Sequence, residues 1–212
     1  MKKVDLFNIP WMMISIDDRR LLREKELFRK FGLKEPNKFT GFTFKNLKGA
    51  ENIVLANLAL VKMAKSLNYD AIFIFEDDAY PCDGIKEELE SIQEVPDDCI
   101  ILNFGWIYNK NTFGNGSSKF VIPHGKNQYG EHSYVIFKDG YEKYEKYFSS
   151  TKTNADWIFW HPIPGIYNYY KNLFVQYNNE ESNSGHYGYI YEDGLGHNDP
   201  PPGFSKIENI LK

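Results

Sequence analysis

Five consecutive apolar residues, Ala71 to Phe75 in "AIFIF", run straight into three carboxylates, Glu76, Asp77 and Asp78. Successive side chains of a strand point to opposite sides, so a strand apolar at every position has no solvent face. It reads as a central strand of a parallel or mixed sheet, covered on both faces. The chain must then supply helices to do the covering.

Two segments have the period for it. In "KGAENIVLANLALVKMAKSLN", Ile53, Ala56, Leu60, Ala64 and Leu67 fall at spacings of three and four, a stripe that packs on a sheet. In "DDRRLLREKELFRKFG", Leu21, Phe28 and Phe31 share a face, Asp17 or Asp18 can cap the start, and Gly32 ends the helix. "WMMISI" (Trp11 to Ile16) reads as a first strand and "CIILNF" (Cys99 to Phe104) as a second all-apolar one. "HSYVIF" and "LFVQY" are weaker strand candidates, and residues 109–129 read as a long polar loop or hairpin. Strands alternating with helices predict an α/β, Rossmann-like domain over residues 1–212, with a central mixed, mostly parallel sheet flanked by helices. The Pro-rich end, about 198–212, is either the edge of that domain or a linker to another, since consecutive prolines continue neither helix nor central strand.

The net charge is −4 with no basic run, which argues against a nucleic-acid binder. The one locally basic stretch, residues 17–32, alternates in sign as a solvated helix face does. Aromatic residues reach 17%; most are expected to fill core, although such rings can also line a sugar or nucleotide site. Cys82 and Cys99 have neither metal-ligand spacing nor a disulfide framework. The first residues do not form a signal peptide, and no run is long enough to span a bilayer, so a cytoplasmic protein is expected.

Ligands of open α/β sheets bind outside the carboxyl ends of the strands, where Glu76, Asp77 and Asp78 fall, and likewise Asp17 and Asp18 one strand earlier. Adjacent carboxylates there call for a cation. A hard divalent ion, Mn²⁺ or Mg²⁺, takes oxygen ligands and keeps positions open for phosphate oxygens. If the strand stays extended, Glu76 and Asp78 point to one side and Asp77 to the other. The plainer alternative makes the acids the start of a solvated turn.

A strand of the type "hhhhEDD" after an amphipathic helix resembles the DxD-type motif of GT-A fold glycosyltransferases. More narrowly, the chain resembles the lipopolysaccharide and collagen galactosyltransferase group, glycosyltransferase family 25. The stretches "MISIDDRRLLREKELFRKFGL", "LANLALVKMAKSLNYDAIFIFEDDA", "YGEHSYVIFKDGYEKYEKYF" and "ADWIFW" match it in order, over roughly residues 12–180. Departures are Ala56-Asn57, where the family usually has Ser-His, and the loop 109–129. Its composition and Pro-rich end also resemble chlorella-virus capsid-protein glycosyltransferases, which would imply a glycoprotein acceptor and the host cytoplasm.

The resemblance implies a metal-dependent hexosyl- or deoxyhexosyltransferase acting on a UDP-sugar donor and a glycan or glycoprotein acceptor. Asp78 and Asp77 would hold the metal, with His186 as a late ligand and His197 as its substitute. Ser15, Asp17, Asp18, Arg19, Arg23, Glu76, Asp77 and His132 would bind the nucleotide and donor, and Asn103 and Trp106 are secondary candidates. Arg20 reads instead as helix solvation. Asp156, flanked by Trp157 and Trp160, is either the base that deprotonates the acceptor in an inverting reaction or a helix N-cap. Two other readings compete: a non-catalytic sugar- or nucleotide-binding module of the same fold, and a metal-dependent phosphohydrolase. The latter needs a nucleophile and further acids that the sequence does not display.

Overall fold

The computed structural model describes residues 1–105, 107–108, 119–122, 128–129, 132–150 and 163–176. Its elements begin with β1 (Lys2–Lys3), β2 (Trp11–Ser15), α1 (Asp18–Lys30), β3 (Asn37–Thr40), α2 (Gly49–Ser66), β4 (Ala71–Glu76) and β5 (Ala79–Pro81). There follow α3 (Ile85–Ser91), β6 (Glu94–Val95), β7 (Ile101–Asn103), β8 (Ile107–Tyr108), β9 (Phe120–Val121) and β10 (Gln128–Tyr129). The last are β11 (Ser133–Phe137), α4 (Tyr141–Ser150), β12 (Ile166–Tyr169) and β13 (Phe174–Gln176).

The main sheet has seven strands in the order β3-β2-β4-β11-β7-β12-β9. β3, β2 and β4 run parallel, β11 is antiparallel to both β4 and β7, β12 is parallel to β7, and β9 is antiparallel at the edge. Five strands, β3, β2, β4, β7 and β12, therefore point one way. This is an α/β fold with a mixed, mostly parallel sheet between helices, as the alternation of elements predicts.

β4 sits in the middle and is buried throughout from Ala71 to Phe75. Its alternate residues divide between two cores. Phe73 and Phe75, with Trp11 and Met13, pack against Leu21 and Phe28 of α1 and Ile85 and Leu89 of α3. Ile72 and Ile74, with Met12 and Ile14, pack against Val54, Leu60 and Val61 of α2 and Tyr141, Tyr144 and Phe148 of α4. Each such large side chain contributes about 1.5–3 kcal/mol by leaving water. The abundant aromatics fill the core as expected: the Trp11 ring lies 5.2 Å from Phe73, and Phe28 meets Phe75 edge-on at 5.1 Å.

The ends of α1 follow from the sequence. Asp17 is its extended N-cap, accepting from the Arg19 N–H at 2.8 Å, and Gly32 takes the left-handed φ of +66° just past the C-cap. α2 buries Val54, Ala56, Asn57, Leu60, Val61 and Ala64. Two expected members of its stripe differ: Ile53 is half-buried, and Leu67 is exposed because the helix stops at Ser66 and Leu67 is its C-cap. "LFVQY" supplies β13, which pairs with β5 outside the main sheet. Of the loop 109–129, β9, β10 and the residues beside β9 are described, and the Pro-rich end lies outside the described residues. No helix among the described residues is long and apolar enough to cross a membrane.

Candidate functional site

β2 and β4 are parallel neighbours with Ile14 opposite Glu76, so their carboxyl ends finish side by side. The next residue of β2, Ser15, donates its hydroxyl to Asp77 Oδ2 at 2.6 Å and accepts from the Asp17 N–H at 3.1 Å. One hydroxyl thus ties the last turn of β4 to the first turn of α1.

The extended-strand expectation for the acids does not hold. β4 ends at Glu76, and Asp77 and Asp78 form a turn that leads into β5. The turn breaks the two-residue alternation, so Asp77 and Asp78 are both buried while Glu76 stays half-buried.

A cation for these acids comes from the chain itself. Arg20, in the first turn of α1, places Nη1 3.0 Å from Asp77 Oδ1 and Nη2 4.0 Å from Asp78 Oδ2, with its side chain only 11% exposed. Its assignment to a solvated helix face is corrected. Charge alternation along the sequence cannot show that the start of α1 lies over the end of β4. Arg19, by contrast, is 91% exposed and pairs with Asp17 at 2.9 Å, an interaction that holds the Asp17 carboxyl down at about 2. Asp18 pairs with Lys38 on the exposed surface. Arg23 is half-buried, with Nε 3.4 Å from Glu24 Oε1 and its guanidinium 5.7 Å from the Tyr80 ring.

Glu24 is the residue that sequence reasoning missed. It is fully buried in the face of α1 that carries Leu21 and Phe28, and it lies near Asp78. Burial pushes its carboxyl up to about 8; Arg23 opposes the rise and Asp78 adds to it. Burial also raises Asp77, against the Ser15 hydrogen bond and the Arg20 charge. Near neutral pH Glu24 is therefore protonated, and the Arg20 and Arg23 guanidinium groups are the positive charges set beside the acids. The signal was present in the sequence: an acid three residues after Leu21 and four before Phe28 falls within the apolar stripe.

His132 stands at the same sheet edge, its carbonyl accepting from the Glu76 N–H at 3.0 Å. Its imidazole is buried, which lowers it to about 4 against a hydrogen bond with the Phe174 backbone, so it is neutral at pH 7. Among the described residues, His132 Nε2 and the Ser133 hydroxyl have no hydrogen-bond partner. The backbone passes over them at Gly105, where a Cβ would lie 2.4 Å from His132 Cδ2 and 2.6 Å from Ser133 Oγ. Asn103 accepts from the Gly105 N–H at 3.1 Å, and the buried Asn168 is its neighbour on β12. The departure at Asn57 lies elsewhere, inside the α2 layer, where its Oδ1 accepts from the Tyr134 hydroxyl at 2.7 Å.

Ser15, Asp77, Asp78, Arg20, Arg23 and Glu24 thus converge, with Asp17 and His132 flanking them. Asp156, Trp157, Trp160, His186, His197 and Trp106 lie outside the described residues. Among the described residues no three of His, Cys, Asp or Glu gather as a metal-ligand group. The donor set is two all-oxygen carboxylates, Asp77 and Asp78, which suits a hard cation that completes its shell with phosphate oxygens. The Arg20 guanidinium shows that a positive charge is accommodated beside both.

No protein-family model and no curated protein matches the chain. Among solved structures it is similar to a protein of STIV at 13% identity and a TM-score of 0.46, over 86% of this chain and 97% of that one. It is also similar to a glycosyltransferase involved in glycosylation of the major capsid of PBCV-1, at 12% identity and a TM-score of 0.41, over 70% of this chain and 69% of that one. A third is a mutant Drosophila β-1,4-galactosyltransferase 7 in complex with manganese, UDP-Gal and xylobiose. There the identity is 11% and the TM-score 0.34, over 64% of this chain and 52% of that one.

Proposed function

We propose that the chain is a GT-A type glycosyltransferase that moves a sugar from a UDP-sugar donor to a hydroxyl of a glycan or glycoprotein acceptor, with Mn²⁺ or Mg²⁺. One observation carries the reading: the parallel ends of β2 and β4 bring Ser15, Asp77, Asp78 and Arg20 into one largely buried cluster at the carboxyl edge of the sheet. That edge is where open α/β sheets bind their ligands, and carboxylates held there face a nucleotide diphosphate only through a cation. The order of motifs along the sequence, which resembles family 25, supports the same reading.

Asp78 is the principal ligand in this scheme. Asp77 is engaged at both oxygens, one by Ser15 and one by Arg20, and Asp78 is the last acid of the resembling motif, with Arg20 Nη2 4.0 Å from its Oδ2. Asp77 accordingly orients the turn and contributes its charge. When bound, the divalent cation supplies Lewis acidity toward the charge that builds on departing UDP. Arg23 lies close enough to add positive potential for the diphosphate, and its planar guanidinium suits phosphate oxygens. His132, neutral and buried beside Glu76, can offer a hydrogen bond to the donor sugar without adding charge. In an inverting reaction Asp156 would accept the acceptor proton, and His186 would complete the metal shell.

The test is isothermal titration of UDP with and without Mn²⁺, on the wild type and on Asp78→Ala. Binding that needs Mn²⁺ and is lost in the variant is the expected result. Binding indifferent to both metal and mutation would sink the assignment.

A further inference from the structure

Arg20 is the feature of this site that the proposed transfer does not by itself require. Its side chain is only 11% exposed, reaches two carboxylates, and sits on the first turn of a helix whose N-cap, Asp17, is bonded through Ser15 to the same Asp77. It is therefore held by the fold rather than resting on the surface. A guanidinium and a divalent cation are drawn to the same carboxylate oxygens, and two positive charges a few ångströms apart repel strongly in a partly desolvated site.

We propose that Arg20 is a positioning residue that competes with the divalent cation for Asp77 and Asp78. The inference rests on the metal-dependent reading above and adds a consequence to it. The carboxylates stay ordered through Arg20, which offsets part of their charge, and the cation binds weakly until a diphosphate brings negative charge of its own. The nucleotide then compensates Arg20 and the cation together, so metal and donor bind cooperatively. Arg20 is in contact with both carboxylates; Arg23 acts on Asp77 through its charge while its Nε lies against Glu24, and Arg19 is exposed and pairs with Asp17.

The experiment measures Mn²⁺ affinity without nucleotide, by titration followed through electron paramagnetic resonance, on wild type, Arg20→Gln and Arg20→Lys. Removing one positive charge next to a divalent ion should tighten Mn²⁺ binding in Arg20→Gln by about tenfold or more. Arg20→Lys, which keeps the charge, should stay within about threefold of wild type. Adding UDP should strengthen Mn²⁺ binding more in the wild type than in Arg20→Gln. Circular dichroism establishes that each variant is folded, and Arg20→Lys carries the comparison if Arg20→Gln does not fold: Mn²⁺ binding tighter than wild type by more than threefold in Arg20→Lys would overturn the charge argument. Equal Mn²⁺ affinity in wild type and a folded Arg20→Gln overturns the competition while leaving metal-dependent UDP binding intact. Absence of Mn²⁺ binding in every variant, with UDP present as well as without it, overturns the metal reading and this inference with it.

Discussion

Glu24 offers a quantitative test of how the site is charged. Its carboxyl is fully buried against Arg23 and near Asp78, and burial raises it from an ordinary 4.5 to about 8. The folded chain therefore holds a proton on Glu24 that the unfolded chain releases between these values. Unfolding releases that proton, so stability must fall as pH rises from about 4.5 toward 8, and level off above. The sign is opposite to that of a carboxylate stabilised by a salt bridge. From pH 5 to pH 8 the linked loss is about 3 kcal/mol, a large share of the stability of an ordinary domain. Glu24→Gln keeps the shape and the neutral hydrogen-bonding character but cannot ionise. Urea unfolding followed by fluorescence at half-unit steps from pH 5 to 9 should show wild type and variant alike near pH 5. Above that they should diverge, with Glu24→Gln the more stable near pH 8. Taking the difference between the two proteins cancels the titrating groups that do not couple to Glu24. Parallel curves across the whole range would refute the reasoning and mean that Glu24 is ionised in the folded chain, as a buried partner of Arg23.

Two further expectations concern the surroundings of the site. Gly105→Ala puts a methyl group 2.4 Å from the buried His132 ring and 2.6 Å from Ser133 Oγ. Overpacking of this kind costs about 1–3 kcal/mol, read as a lowered urea midpoint. A variant as stable as wild type would show that the chain between β7 and β11 yields easily. Tyr134→Phe removes the hydroxyl that donates to Asn57 at 2.7 Å and lies 3.2 Å from the Tyr144 hydroxyl, leaving buried polar atoms unsatisfied. It should destabilise by about 1–3 kcal/mol while leaving UDP titration unchanged, since the pair belongs to the α2 layer. Weakened UDP binding in a well-folded Tyr134→Phe would place Asn57 in the functional site instead.

Much of the framework was legible along the chain because it depends on local rules. The run Ala71–Phe75 is buried because alternate residues of a central strand reach both cores, and the apolar run states that requirement directly. Asp17 and Gly32 mark the ends of α1 through capping chemistry that needs only neighbouring residues. The placing of acids at a strand's carboxyl end likewise followed from strand order alone. Their orientation did not, because a turn at Asp77 and Asp78 ends the extended geometry at Glu76, just past the apolar run and two residues short of Asp78.

The sequence by itself determined that this is a layered α/β protein with carboxylates at the mouth of its central strand. Periodicity, caps and turn residues act over a few positions and are written in consecutive letters. Only the tertiary structure decided which cation meets those carboxylates. Asp77 is joined to Ser15 across 62 positions, and to Arg20 only because α1 leaves β2 beside the end of β4. The same packing turned Glu24, an ordinary letter in an alternating-charge helix, into a buried acid. A buried charge is a property of what surrounds it in three dimensions, and the surroundings come from strand pairing rather than from neighbours in the chain.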